Sequence, residues 1–269
     1  MPIVDAQIHL WTSDAAPPHH WRAPHLIEDA LREMDAAGID RVVNCPAVWD
    51  PCSNDYAVEA ARLHPDRFAT LGWFPLDDQA SPARVDEWLA KPGMLGLRFI
   101  IASPEAWAKF EAGELDWLVE AAHDREIALG LMAPPAGFGR LGELAARYPK
   151  ARLLIDHLSV SPFAKLPEAV EHFDAMIALA AHPNIAVKAT GAPSMSNDAY
   201  PFADTHAPLK QVFDAFGSKR FFWGTDFTRM RCSWSECLTM FSRELPWLAE
   251  ADKEWVLGRA ICEWIGWKY

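Results

Sequence analysis

Short apolar runs alternate with longer stretches of helical period eight times along this chain, and no other feature narrows the fold so far. The runs are Ile3–His9, Arg41–Cys45, Phe68–Trp73, Gly96–Ile100, Ile127–Met132, Arg152–His157, Ile185–Ala189 and Arg220–Gly224. They are rich in Val, Ile, Leu and Phe and apolar on both faces, as strands covered on both sides of a parallel sheet must be. Between them lie Leu26–Ala37, Asn54–His64, Leu115–Arg125, Leu141–Tyr148, Pro167–Ala181, Leu209–Phe216 and Ser235–Leu245, with a last helix expected over Lys253–Ile265, packed across the outside. In the first of these, Leu26, Ala30 and Met34 recur every four residues. Asn54 opens the second as a capping residue. Eight such units in 269 residues predict a closed (β/α)8 barrel with an extra C-terminal helix, a single domain over residues 1–269. An open doubly wound sheet would want G-x-G-x-x-G after the first strand, and that motif is missing.

Composition removes several classes of function. Twenty-five Lys and Arg face 37 Asp and Glu, a formal charge of −12 without a basic run, which disfavours a nucleic-acid partner. No apolar segment is long enough to span a membrane, and the N-terminus lacks the pattern of a signal peptide. Five cysteines, Cys45, Cys52, Cys232, Cys237 and Cys262, never fall in C-x-x-C and read as reduced thiols. A cytoplasmic protein acting on a small molecule is expected; oligomeric state is not legible.

Barrel enzymes keep their chemistry at the C-terminal ends of the strands. Reading those ends gives Gln7, His9 and Trp11 from strand 1, Arg98 from strand 4, Asp156 and His157 from strand 6, Lys188 from strand 7, and Asp226 with Arg229 from strand 8. Alternation puts Gln7 and His9 on one face, with Asp5 one layer deeper. His9, His157 and Asp226 converge from three distant strands, and two imidazoles with a carboxylate suffice to activate water. The Pro-rich segment Ala15–Pro24 and the segment Gly191–His206 are long enough to form walls over a site. His19, His20 and His25 in or beside the first read as surface or capping residues. His206 after the second is a candidate substrate contact. Trp11, Trp49 and Trp73 at strand ends are candidates for an aromatic wall, and Cys52 for a pocket lining.

The motifs D-A-x-x-H-L-W, G-L-R-F, L-I-D-H, V-K-x-x-G and W-G-T-D, met in that order, resemble the amidohydrolase superfamily. More narrowly they resemble its amidohydrolase-2 branch, with the 2-pyrone-4,6-dicarboxylate lactonases and the sugar and muconolactone lactonases. The resemblance covers nearly the whole chain and implies a distorted (β/α)8 barrel. The branch usually begins with H-x-H, where this sequence has Gln7. Strand 5 ends Gly130-Leu-Met-Ala-Pro134 and offers no bridging lysine. An amide oxygen is a poor partner for zinc, so a binuclear centre is disfavoured.

The resemblance implies a lactonase in which Asp226 takes the proton of water while His9 and His157 donate to the carbonyl oxygen, Gln7 assisting. Arg98 and Arg229 are candidates to grip a substrate carboxylate, Lys188 to assist or to balance Asp226, and Trp11 to line the pocket. No cofactor is favoured. The alternative is one divalent ion, zinc or manganese, on His9, His157 and Asp226. Rival functions are a metal-dependent decarboxylase of aromatic or unsaturated acids, an amide hydrolase, and a barrel that binds a ligand without turnover.

Overall fold

A computed structural model describes residues 2–20, 24–77, 80–101 and 103–268. Residues 21–23 of the Pro-rich segment lie outside this description. The eight strands are β1 Val4–Ile8, β2 Arg41–Asn44, β3 Phe68–Trp73, β4 Met94–Ile100, β5 Ala128–Met132, β6 Arg152–Ile155, β7 Ile185–Thr190 and β8 Phe221–Gly224. They pair in parallel in chain order, β1 next to β2 and so on to β8, as the alternation predicts for a (β/α)8 barrel. The helices that cover them are α1 Ile27–Ala37, α2 Ser53–Leu63, α3 Pro82–Leu89, α4 Pro104–Ala112, α5 Asp116–Arg125, α6 Phe138–Arg147, α7 Phe173–Ala178, α8 Ala192–Met195, α9 His206–Phe216, α10 Trp234–Thr239, α11 Glu250–Glu254 and α12 Ala260–Ile265.

Three of these, α3, α4 and the one-turn α8, are absent from the sequence reading. The first two open on Ser-Pro. Ser81 accepts from the Arg84 N–H at 3.3 Å and Ser103 from the Ala106 N–H at 3.1 Å, with proline placed where a helix needs no amide donor. That start signal was legible. Asn54 does not cap α2, which begins one residue earlier. Its amide bridges instead to the backbone of Trp73, donating to the carbonyl and accepting from the N–H, both at 3.0 Å.

The C-terminal helix does not lie across the outside as expected. Ala260, Ile261, Cys262 and Ile265, followed by Trp267, pack against the inward residues Val4, Ala6, Val43, Ala69, Ala128, Leu154, Ala186 and Phe222. Four of these eight inward residues are alanines, and the helix plugs the space they leave. The plugged N-terminal end is thereby sealed, and the opposite end is left for chemistry.

The ring is joined unequally. β1 and β8 share no ladder. One backbone bond, from the Asp226 N–H to the Gln7 carbonyl at 2.8 Å, crosses between them. The rest of the seam is made by the Asp5 carboxylate, which accepts from the Thr225 N–H at 2.9 Å, the Thr225 hydroxyl, and the Trp234 indole N–H of α10 at 2.8 Å. Burial raises the Asp5 pKa to about 6 in spite of these donors. Gly224 is required at this join, since a Cβ there would stand 2.9 Å from the Ala6 nitrogen and 3.0 Å from Asp5 Oδ1.

Asp5 therefore bonds toward α10 rather than sitting beneath Gln7. The cause is an extra residue in β1: Asp5 pairs with Val42 but Ile8 with Asn44, three steps against two. A bulge of this kind re-aims the side chains beyond it. Ala6 joins the inner cluster, and Gln7 then reaches the barrel interior as well.

Candidate active site

The interior charges form two layers. In the lower layer Asp156, at the end of β6, accepts from Arg98 Nε of β4 at 2.6 Å and pairs with Lys188 Nζ of β7 at 3.0 Å. Lys188 and Asp156 have no exposed surface and Arg98 has 3%. Burial works to raise the Asp156 pKa, but the two cations outweigh it and hold the carboxylate well below its usual range. Arg98 is thus not presented to a substrate, and Lys188 balances Asp156 rather than Asp226. Strand alternation gives a residue's face but not its depth, and both side chains stop one layer too low.

Gln7 joins the layers. Its Oε1 accepts from Lys188 Nζ at 3.1 Å, and its Nε2 lies 2.8 Å from His157 Nε2. His157 Nδ1 lies 2.7 Å from the Thr190 hydroxyl. The His157 backbone is left-handed (φ 55°), as are those of Leu158 and Ser159 after it. Three consecutive residues in this region are costly for side-chain-bearing residues, and such strain concentrates at functional sites.

The upper layer centres on Asp226, also left-handed at φ 54°. Its Oδ2 pairs with Arg229 Nε at 3.0 Å and lies 3.8 Å from His157 Nε2. Its Oδ1 is 3.2 Å from His9 Nε2. Burial works to raise the Asp226 pKa, yet His9 and Arg229 hold it well below the usual carboxylate range. His9 Nδ1 faces the Cys45 carbonyl, which can only accept, so that nitrogen carries the proton and donates.

His20 is the imidazole that gathers with both His9 and Asp226, one ligand atom of each lying within 4.8 Å of the others. Among the described residues, His157 Nε2 approaches Asp226 Oδ2 at 3.8 Å but forms no such group with His9. His20 is buried. Its Nδ1 is 2.7 Å from the Thr228 hydroxyl, and burial lowers its pKa to about 3, which keeps the ring neutral. Trp49 packs on it at 4.5 Å between ring centroids. Sequence reasoning missed His20 because it sits on a loop whose path has no period. Its one signal was a histidine pair following two prolines within reach of the strand 1 end. Trp11 is fully buried and supports this cluster from behind, against Trp49, His20 and His25, so it does not line the pocket. His25 Nδ1 meets the His9 carbonyl at 2.8 Å, and His206 meets the Pro201 carbonyl at 3.0 Å.

These groups fit a divalent cation better than the expected set did. Asp226 Oδ1 is buried without a hydrogen-bond partner, and an orphan of that kind calls for an explanation. Ligands about 2.0–2.1 Å from a tetrahedral ion stand roughly 3.3 Å apart, close to the 3.2 Å between His9 Nε2 and Asp226 Oδ1. Beside the cluster opens a cavity of about 580 Å³ lined by His19, Phe163, Lys165, Tyr200, Arg229 and Arg231 among others. Of the residues expected to bind substrate, Arg229 alone lines it.

A parallel eight-stranded barrel with carboxylate and imidazole groups gathered at its open end defines the class, a (β/α)8-barrel protein with a buried carboxylate–imidazole cluster. The amidohydrolase family model matches residues 4–260, and the chain belongs to that family. It is 25% identical over 238 residues to an L-fucono-1,5-lactonase of Burkholderia ambifaria, covering 83% of this chain and 79% of that protein. Among solved structures, an amidohydrolase from Burkholderia multivorans with bound zinc superposes with a TM-score of 0.84 at 19% identity, over 99% of both chains. A Pseudomonas putida chain described as a candidate 2-pyrone-4,6-dicarboxylic acid hydrolase does so with a TM-score of 0.78 at 18% identity, over 99% of this chain and 98% of that one.

Proposed function

We propose that this protein is a lactonase, adding water to the carbonyl of a cyclic ester. The observation that carries the reading is the buried Asp226 carboxylate, its Oδ1 3.2 Å from His9 Nε2, gathered with His9 and His20 beside the cavity. The likeness to a sugar lactonase supports it.

Asp226 Oδ1 holds the attacking water and accepts its proton as the new C–O bond forms. That proton then passes to the ring oxygen as the ester C–O bond breaks, leaving a hydroxy acid. A carboxylate held this far down is a weak base, so Asp226 contributes chiefly by position and charge, and an activated lactone is the substrate that asks least of it. The oxyanion falls to Arg229, which borders both Asp226 and the cavity. His157 is not its donor: Nε2 meets the Gln7 amide and Nδ1 the Thr190 hydroxyl. His9, His20 and Asp226 would hold a divalent cation, which when bound would polarise the carbonyl and acidify water. Five unbridged cysteines and the acidic charge support a reducing, cytoplasmic setting in catabolism, with a small molecule as partner.

A panel of 1,4- and 1,5-lactones, free and carboxylate-bearing, assayed with a pH indicator tests this. Enzyme-dependent acidification on at least one of them is expected. Proton uptake with release of carbon dioxide from aromatic acids, and none of the acidification, would replace the lactonase by a decarboxylase.

Gly191 gives a further check. Its φ is +76°, and a Cβ there would fall 2.0 Å from Arg229 Nη2. Gly191→Ala is expected to cost about 1–2 kcal/mol of stability through the left-handed backbone and to lower kcat by roughly 10- to 100-fold through the displaced guanidinium. Thermal melting and steady-state kinetics measure the two parts; unchanged kinetics would remove Arg229 from the mechanism.

A further inference from the structure

We propose that Gln7 selects which imidazoles can hold a cation here: it withdraws His157 and leaves His20, on the loop after β1, as the third ligand beside His9 and Asp226. The inference rests on reading this site as the water-activating centre, but it concerns binding alone.

The hydrogen-bond directions follow from Lys188. An ammonium only donates, so the Gln7 atom 3.1 Å from Nζ is the amide oxygen, and the atom 2.8 Å from His157 Nε2 is the amide nitrogen. An amide nitrogen in turn only donates. His157 Nε2 therefore accepts and its lone pair is occupied, while Nδ1 is enclosed by the Thr190 hydroxyl at 2.7 Å and Arg229 Nη2 at 3.3 Å. Neither nitrogen is left for a ligand bond. Turning the Gln7 amide would aim its N–H groups at the Lys188 ammonium. Lys188 is itself fixed by Asp156, and Asp156 by Arg98, all within the barrel interior.

His9 and His20 have the opposite arrangement. Each has Nδ1 against an oxygen, the Cys45 carbonyl, which only accepts, and the Thr228 hydroxyl, which can accept from an Nδ1–H; in that tautomer Nε2 is open to a ligand. Partners of that kind orient metal-binding imidazoles and set their tautomer. The barrel wall thus supplies two ligands and the loop supplies one.

The test strips the full chain with a chelator and titrates zinc and cobalt(II) into it, read by calorimetry and by the visible absorption of cobalt. The wild-type chain is expected to take one equivalent. His20→Ala should weaken binding by about tenfold or more and change the cobalt spectrum, and His157→Ala should stay within about threefold. Gln7→Met in the His20→Ala background frees His157 Nε2 and should recover much of the lost affinity. Melting curves confirm folding, and the two single variants decide the question if the double one does not fold. No uptake by the wild-type chain, or an equal loss in His20→Ala and His157→Ala, overturns the proposal. Binding in the expected pattern without opening of any lactone removes the lactonase reading alone, and lactone opening with the wrong binding pattern removes this one alone.

Discussion

Asp226→Asn is expected to lower kcat for lactone opening by about a thousandfold or more, because the water loses both its proton acceptor and the charge that orients it. The amide preserves the volume of the buried side chain, so the barrel should still assemble. Kinetics and a melting curve on the same preparation separate the two effects, and activity within tenfold of wild type would end the role given to Asp226. The pH profile offers a second reading. His9 and Arg229 keep this carboxylate well below the usual range, so its ionisation should produce no acid limb in kcat/KM above about pH 4. The sign for stability is the same. A depressed carboxylate stabilises the folded state above its unfolded pKa, and that contribution is lost as pH falls through the folded value.

The largest stability effect is expected one layer down. Asp156→Asn leaves Arg98 and Lys188, both buried, facing a neutral amide. Breaking a buried ionic cluster by removing its shared partner costs about 3–5 kcal/mol. Urea denaturation at pH 7 should show a loss of that size without a change in slope. A loss below about 1 kcal/mol would mean that the cations find other partners. The same carboxylate predicts acid sensitivity, since its stabilisation is complete at neutral pH and declines once the pH drops below about 4.

The order of the strands and the gathering of most strand-end side chains at one end of the barrel were legible because a buried parallel strand has a composition and a period. Gln7, His9, His157, Asp226 and Arg229 all stand in the upper layer that their places at the strand ends predict. What the period cannot carry is depth, local insertion and loop path. Arg98 and Lys188 point inward as read, but their length is spent on Asp156 below the cavity. The extra residue between Asp5 and Ile8 turned Asp5 toward α10, and a one-residue bulge leaves no mark in a five-residue strand. His20 escaped for a third reason, since a loop's course is fixed by contacts such as those with Thr228 and Trp49, made to residues far along the chain.

The join between β1 and β8 gives the protein an order of events. Its two sides, Asp5 and Thr225, are 220 residues apart in the chain, and the entropy of closing so long a loop must be met before the contact returns anything. Closure therefore waits until nearly all of the chain is present. Gln7 and His9 stand on one bank of the join, Asp226 and Arg229 on the other. A barrel with seven strand pairs formed and the last contact open would keep nearly all of its helices and sheet, yet its acid would be parted from its imidazole. Activity should thus fade before secondary structure as the protein is heated, and return last when it refolds.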